Sequence, residues 1–199
     1  MRQDVDKQGV LLAEILLFHH VLGLSDGVRA FADDLRAAGH TVHTPDLFGG
    51  HTNPDVPSGV EYAESIGFDT VIARGVAAAE TAPGATVFAG FSMGCMPAEE
   101  LAMTRPGVQA AILMSGMAPL QFFGDGSWPA GVPLQVHVME DDPDGDVDDV
   151  KELAASVAEA EAFFYPGDQH LFAERGNPSY DEAAATLVTR RVLDLLAAL

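Results

Sequence analysis

Residues 86–104 read TVFAGFSMGCMPAEELAMT, and this stretch decides the fold class. Its apolar start predicts a buried strand, and its second half has the pattern of a helix that follows at once. Between them lies Gly90-Phe91-Ser92-Met93-Gly94, a G-x-S-x-G turn. The flanking glycines of such a turn allow a sharp bend that lifts the serine hydroxyl clear of the sheet. Ser92 is therefore the candidate nucleophile, and the Met93 N–H at the helix start is a candidate donor to an oxyanion.

The same alternation of apolar runs and helical patterns extends along the chain in both directions. Strands are predicted at 11–18, 41–47, 86–91, 108–114, 134–139 and 162–165, and helices at 26–38, 68–79, 93–104, 147–160 and from Ser179 nearly to Leu199. This order predicts an α/β fold, a mostly parallel sheet with helices on both faces. The length predicts one domain over residues 1–199. Ligands of such folds collect at the carboxyl ends of the strands, so the loops there are the place to look for a site.

Two of these loops carry partners for a nucleophilic serine. A serine needs a base to take its proton, and the base needs an acid to orient it, in the chain order Ser, acid, His. The strand at 134–139 runs into Glu140-Asp141-Asp142, and the strand at 162–165 is followed by a loop that contains His170. His170 is the predicted base. Asp142 is the preferred acid, with Asp141 and Glu140 as alternatives.

Composition limits the partners and the compartment. The 199 residues are 48% hydrophobic, which excludes a disordered chain. Thirty acidic against ten basic residues give a net charge of −20, so nucleic acids and anionic membranes are not expected as partners. The single Cys95 and an N-terminus without the features of a signal peptide lead us to expect a cytoplasmic protein. The acidic surface fits either a high-salt cytoplasm or a composition biased toward solubility.

No motif predicts a metal or an organic cofactor. The sequence lacks H-E-x-x-H, C-x-x-C, G-x-G-x-x-G and P-loop patterns. The acidic run at 141–149 departs from the calcium-loop template, since Val147 stands where glycine is needed and Leu153 where glutamate is needed. The sequence makes no prediction of oligomeric state.

Five segments together resemble the dienelactone hydrolase family of α/β-hydrolases. They are HHVLGLS at 19–25, GHTVHTPDLF at 39–48, GFSMGC at 90–95, MEDDP at 139–143 and YPGDQHLFA at 165–173. The resemblance implies an α/β-hydrolase fold without a large lid domain and a mechanism through an acyl-enzyme. It also places the acid on Asp142, and it places the second oxyanion donor on the Val21 N–H.

The chain departs from the family's name-giving members at two positions of the site. Those members carry cysteine where Ser92 stands and glutamate where His20 stands, and a serine activated directly by His170 does not need that glutamate. His20 then shapes the pocket or binds substrate, or it is a partly buried histidine bonded to backbone. The arginines with which those members hold a substrate carboxylate have no identified equivalent here, so dienelactone itself is not expected as the substrate.

The remaining expectations concern the pocket and the function. Phe122, Phe123 and Trp128 lie in the loop after the fourth strand and are expected either to line a substrate pocket or to pack inside the protein. The main hypothesis is a serine hydrolase of a small carboxylic ester, lactone or thioester. One alternative is a non-catalytic α/β-hydrolase-fold protein that binds a ligand or partner. A second is thiol chemistry at Cys95, on the first turn after the elbow.

Overall fold

The computed structural model describes residues 12–199 as a six-stranded sheet flanked by helices. Every strand pair is parallel, and the strand order is β2-β1-β3-β4-β5-β6. The strands are β1 (Glu14–Phe18), β2 (Thr41–His43), β3 (Val87–Phe91), β4 (Ala110–Met114), β5 (Leu134–Met139) and β6 (Ala160–Tyr165). The helices are α1 (Asp26–Ala37), α2 (Val56–Ile66), α3 (Phe68–Thr81), α4 (Cys95–Thr104), α5 (Val147–Ser156) and α6 (Glu182–Ala197). Short 3₁₀ turns lie at Ser92–Gly94 and Leu120–Phe122.

Both faces of the sheet are buried, because successive side chains of a strand point to opposite sides. Along β1, Leu16 and Phe18 pack in one core cluster with residues of α3, α4 and α5. Ile15 and Leu17 pack in a second cluster with residues of α1 and α6. All residues of β3, β4 and β5 are buried. The predicted fold class, a parallel sheet with helices on both faces and no large lid domain, is confirmed.

Several predicted boundaries differ from the structure. The first strand begins at Glu14, and position 11 of its predicted range lies outside the described residues. The second strand ends at His43 rather than 47, since the chain leaves the sheet before Pro45, which has no N–H to donate. The helix after the elbow begins at Cys95, behind a 3₁₀ turn. α5 ends at Ser156 and the sixth strand begins at Ala160.

The start of the last helix was predicted at the wrong cap. α6 begins at Glu182, and the Asp181 side chain accepts a hydrogen bond from the Ala184 N–H at 2.8 Å. Ser179, the predicted start, lies outside the helix. A carboxylate at the N-cap accepts the free N–H groups of the first turn and also favours the helix dipole, so Asp181 is the better cap.

α2 was not predicted. Only Gly59 and Ala63 of this helix are buried, so its apolar periodicity is weak. Two local signals do mark it: the Asp55 side chain accepts from the Ser58 N–H at 2.9 Å, and Pro57 lies in the first turn.

Within residues 12–199, none of the helices is long and apolar enough to cross a membrane.

Candidate active site

Ser92 sits on a strained turn between β3 and α4. Its φ of +49° lies in the left-handed region, which residues other than glycine rarely adopt. Gly90 and Gly94 allow the chain to close this tightly. A Cβ at Gly90 would collide with the Gly94 carbonyl, and a Cβ at Gly94 would lie 2.5 Å from the Phe18 carbonyl oxygen. The elbow is therefore pressed against the end of β1, and the predicted strand–turn–helix context of Ser92 is the one observed.

Three side chains from three loops meet at this turn. His170 Nε2 lies 2.7 Å from Ser92 Oγ, and His170 Nδ1 lies 2.9 Å from Asp142 Oδ2. β3, β4, β5 and β6 are consecutive neighbours in the sheet, so their carboxyl ends open at one edge and bring the loops together. The Asp142 side chain is fully buried, while that of His170 keeps 12% of its surface exposed. Because the imidazole of His170 is partly exposed and is held by a buried carboxylate, it can exchange a proton with a substrate that enters from solvent.

Of the three acids that the sequence left open, Asp142 is the one whose carboxylate contacts His170 in the structure. Glu140 and Asp141 are exposed, and their backbone N–H groups donate to Tyr165 O at 2.8 Å and to Gly167 O at 3.0 Å. These two bonds tie the acid's loop to the histidine's loop. Asp142 turns inward, and its second oxygen accepts from the Asp144 N–H at 3.0 Å. Both oxygens of its carboxylate are therefore held, and the carboxylate is oriented toward His170.

Two other histidines have structural roles. His137 is buried inside β5, with Nδ1 2.9 Å from the Tyr165 hydroxyl, and burial lowers its pKa to about 3. His19 is buried and its Nε2 accepts from the Leu47 N–H at 2.9 Å; burial lowers its pKa to about 4. Both rings are neutral at physiological pH, which is how a buried histidine avoids the cost of a desolvated charge.

His20 is fully buried beneath the turn that follows β1. Its Nδ1 accepts from the Leu22 N–H at 3.2 Å, so the proton of the neutral ring is on Nε2. That Nε2 lies 2.9 Å from Glu174 Oε1, off the direction of its N–H bond, so the attraction is mainly electrostatic. Burial raises the pKa of Glu174, but contacts with His20 and with the Ser25 and Asn177 side chains outweigh burial, and the net pKa is lowered. Of the two roles considered for His20, this position corresponds to the buried histidine bonded to backbone.

Val21 and Met93, the two predicted oxyanion donors, lie on the walls of one cavity with Ser92. The turn that carries Val21 is held on two sides. The Asn53 side-chain amide donates to the Val21 carbonyl at 2.8 Å, and α2 packs so closely that a Cβ at Gly59 would lie 2.5 Å from the same oxygen. A backbone held in this way is preorganised, which is the property that an oxyanion hole needs.

The cavity beside Ser92 has a volume of about 280 Å³. Most of its wall is apolar, formed by residues of α2, α3, α4 and the loop after β4: Val60, Phe68, Met96, Met117, Ala118 and Pro119. Besides Ser92, the polar side chains of the lining are those of Ser115, Asp144 and Asp146. A space of this size with a few polar groups suits a small ligand.

The four residues predicted to bind substrate do not line this cavity. Phe122 is 71% exposed, and Phe123 is buried. Trp128 is also buried, and its Nε1 donates to the Val132 carbonyl at 2.8 Å. His20 lies behind the turn, as described above. The placement therefore does not support a role in substrate binding for these residues. Apolar composition alone does not tell which residues of an irregular loop face a pocket.

Three residues at or near the site were not singled out from the sequence. Ser115 and Asp146 line the cavity, both at positive φ (+62° and +51°). Their only signal was position, because each follows the carboxyl end of a strand. Glu174 lies one turn beyond His170, and nothing in the sequence indicated its contact with His20.

Cys95 is packed against the elbow rather than open to the site. It is buried, and its Sγ donates to the Gly90 carbonyl at 3.4 Å and lies 3.6 Å from the Met114 carbonyl. Burial raises the pKa of the thiol well above its ordinary value, and Glu99 adds to this. A thiol that stays protonated is a poor nucleophile, so the geometry does not support chemistry at Cys95. Among residues 12–199, no group of three or more His, Cys, Asp or Glu side chains is arranged to hold a metal ion.

Comparisons with known proteins concern the family and the fold of the chain. The sequence profile of the dienelactone hydrolase family matches residues 5–199. No curated protein sequence matches the chain. A candidate dienelactone hydrolase from Klebsiella pneumoniae subsp. pneumoniae has a similar structure, with a TM-score of 0.76 and 21% identity over 94% of this chain and 88% of that one.

Two further solved structures share the fold. A dienelactone hydrolase-like promiscuous phosphotriesterase from metagenomic libraries has a TM-score of 0.76 and 19% identity over 98% of this chain and 90% of that one. Dienelactone hydrolase from Anabaena variabilis has a TM-score of 0.64 and 18% identity over 92% of this chain and 86% of that one. At these identities the likeness concerns the fold, and the predicted α/β-hydrolase fold is confirmed.

Proposed function

Because the chain belongs to the dienelactone hydrolase family, a family of carboxylic ester hydrolases, we propose that it is a serine hydrolase of a small carboxylic ester, lactone or thioester. Ser92 is the nucleophile, His170 the base and Asp142 the orienting acid. The observation that carries the proposal is the continuous series of contacts from Ser92 Oγ to His170 Nε2 at 2.7 Å and from His170 Nδ1 to Asp142 Oδ2 at 2.9 Å. Both distances allow hydrogen bonds in the direction that activation of a serine requires.

The reaction proceeds in two halves. As Ser92 Oγ bonds to the carbonyl carbon, its proton passes to His170 Nε2, and the carbonyl oxygen becomes an oxyanion. Asp142 stabilises the imidazolium through Nδ1–H. The tetrahedral intermediate then collapses: the bond to the leaving oxygen or sulfur breaks, and His170 returns the proton to that atom. In the second half, His170 activates a water that attacks the acyl-enzyme, and the acid is released while Ser92 regains its proton.

The N–H groups of Val21 and Met93 are the proposed donors to the oxyanion. Support comes from the position of both residues on the wall of the cavity that contains Ser92. Met93 follows the nucleophile directly, at the start of the 3₁₀ turn that leads into α4. Val21 belongs to the turn after β1, closed by the Gly23 N–H donating to the His20 carbonyl at 3.1 Å. Each such donor contributes roughly 10²- to 10³-fold to the rate in enzymes of this kind.

The size of the cavity favours small acyl and alcohol groups. About 280 Å³ lies near the lower end of the range found for ligand sites, and the cavity is lined by Ser92, whose Oγ His170 contacts. The single cysteine fits a reducing compartment such as the cytoplasm. The net charge of −20 does not favour nucleic acids or anionic membranes as partners.

The experiment that tests the proposal is labelling with a fluorophosphonate, followed by intact mass measurement and peptide mapping. We expect one adduct on Ser92, with labelling lost in Ser92→Ala and slowed by a factor on the order of 10³ or more in His170→Ala. His43→Ala is the matched control, because His43 lies on the edge strand β2, where its Nε2 is 2.9 Å from Glu14 Oε1. An adduct on any other residue, or full labelling of the His170→Ala variant, would refute the assignment. The absence of any adduct on folded protein would favour a binding role instead.

A further inference from the structure

The charged residues that line the cavity beside Ser92 are both acidic. They are Asp144 and Asp146, and the lining contains no arginine or lysine. Neither carboxylate forms an ion pair with a basic side chain of the part of the chain that the structure describes. A carboxylate on a substrate would therefore meet two like charges and no cation.

Asp146 is turned toward the cavity rather than toward its own helix. It precedes α5 in the left-handed conformation, at φ +51°, yet its side chain makes no capping bond to that helix. Its carboxylate lies over Gly116, where a Cβ would come within 3.2 Å of Asp146 Oδ2. Burial and the neighbouring Asp149 raise the pKa of Asp146; His170 and a hydrogen bond from the Met117 backbone oppose this, and the net pKa is raised. Burial and Asp149 disfavour the ionised form of Asp146. A positively charged group or a hydrogen-bond donor next to its carboxylate would stabilise that form.

Ser115 provides an independent polar group in the same cavity. It follows β4 directly, at φ +62°, and is only 1% exposed. Its Oγ has no hydrogen-bond partner among the described residues. A buried hydroxyl without a partner is costly, so a group that accepts from it or donates to it binds with a gain.

We propose that this cavity is a subsite for a substrate that carries a hydroxyl or ammonium group near the scissile ester, and that it discriminates against esters that carry a carboxylate. Ser115 Oγ and the Asp146 carboxylate are the contacts of that group. The inference rests on the proposed function, since it concerns the substrate that Ser92 attacks. It does not depend on the assignment of the Val21 and Met93 N–H groups as donors to the oxyanion.

The expected selectivity follows from the charges. One unit charge several Å from another, at an effective dielectric constant of about 20, changes a rate or an affinity by a factor of about 100. Asp146 is exposed to solvent, so we expect this residue alone to change the ratio between the ammonium and the carboxylate ester by about tenfold in total. One hydrogen bond to Ser115 corresponds to a factor of roughly 3 to 10.

The test compares four aryl acetates that differ only in the para substituent: methyl, hydroxymethyl, ammoniomethyl and carboxymethyl. Values of kcat/KM are normalised to hydroxide-catalysed hydrolysis of each ester, which removes differences in the leaving group. Salt of about 0.5 M KCl screens the long-range field of the acidic protein and leaves short contacts. We expect the order ammoniomethyl, hydroxymethyl, methyl, carboxymethyl, with a ratio of at least about 30 between the first and the last.

Three variants assign the selectivity to residues. Asp146→Asn should reduce the ammonium-to-carboxylate ratio about tenfold. Asp148→Asn is the matched control, because it removes the same charge from the same helix start, where Asp148 is 97% exposed and 3.0 Å from Lys151; the ratio should not change. Ser115→Ala should reduce the ratio of hydroxymethyl to methyl ester by a factor of roughly 3 to 10.

The outcomes separate this inference from the proposed function. Equal normalised rates for the four esters, with turnover abolished in Ser92→Ala, would overturn the subsite and leave the catalytic assignment in place. If no ester is turned over, the proposed function fails, and binding of the matched acetanilides to Ser92→Ala by calorimetry still decides the subsite. Tighter binding of the ammonium compound than of the carboxylate supports it, and equal binding overturns it.

Discussion

Replacing Glu174 by glutamine should destabilise the protein in a way that depends on pH. The Glu174 side chain is 4% exposed and lies 2.9 Å from His20 Nε2. It also accepts hydrogen bonds from the Ser25 hydroxyl and from Asn177 Nδ2, the latter at 2.6 Å. Glutamine keeps the shape but loses the charge, and its amide N–H₂ cannot accept from a donor that faces it.

The size of the loss in unfolding free energy follows from the three contacts of the Glu174 carboxylate, with His20, Ser25 and Asn177. Weakening them without leaving a cavity should cost about 2 kcal/mol, whereas Glu174→Ala, which leaves His20 buried opposite a void, should cost about 3 to 5 kcal/mol. For a chain of this length a loss of 2 kcal/mol corresponds to a fall in Tm of roughly 4 to 8 °C.

The sign of the pH dependence follows from the lowered pKa of Glu174. A carboxyl whose pKa is lower in the folded state stabilises the fold above its unfolded pKa of about 4.3, and the contribution is lost as the pH falls through the folded value. The difference in unfolding free energy between wild type and Glu174→Gln should therefore be full at neutral pH and shrink below about pH 4.

Urea unfolding followed by circular dichroism, at several pH values, measures this difference. Glu64→Gln is the matched control, because Glu64 is an exposed glutamate on α2 and its loss changes net charge by the same amount. A difference that is equally large at neutral and acidic pH would refute the argument from ionisation. The variant should also lower kcat, since His20 holds Leu22 N–H in the turn that presents Val21. An unchanged kcat would refute that link.

Three further outcomes follow from the packing around the elbow. Gly94→Ala places a Cβ 2.5 Å from the Phe18 carbonyl and should cost about 1 to 3 kcal/mol in urea unfolding, together with the loss of fluorophosphonate labelling. Glu99 is fully buried, with one oxygen accepting from the Ala118 N–H at 3.0 Å, and burial raises its pKa well above the ordinary value. As the pH rises above about 4.3, Glu99 loses its proton in the unfolded state but keeps it in the folded state, so wild type loses stability. The unfolding free energy of Glu99→Gln relative to that of wild type should therefore rise with pH, and a constant difference would contradict this. Cys95 should resist iodoacetamide in the native protein and react in urea, as followed by mass spectrometry; modification of the native protein at the rate of a free thiol would contradict its burial.

Much of the site could be predicted because its signals are local. The glycines of the elbow and the serine between them lie within five residues, and the turn needs those residue types wherever it occurs. The order of the strands along the chain placed His170 and the acidic loop at the same edge of the sheet, since parallel strands share the direction of their carboxyl ends. The apolar runs of β3, β4 and β5 indicated burial on both faces, and the structure has them buried.

The choice between neighbours was decided only by tertiary structure. Asp141 and Asp142 have the same side chain in the same loop, and only the packing of the loop against the β6 loop turns one outward and the other toward His170. The burial of Phe123 and the exposure of Phe122 are a similar case. His20 and Glu174 are far apart in sequence, and nothing in either local pattern indicates that they meet. Local patterns report what a short segment prefers, whereas these contacts depend on where separate segments are placed by the whole core.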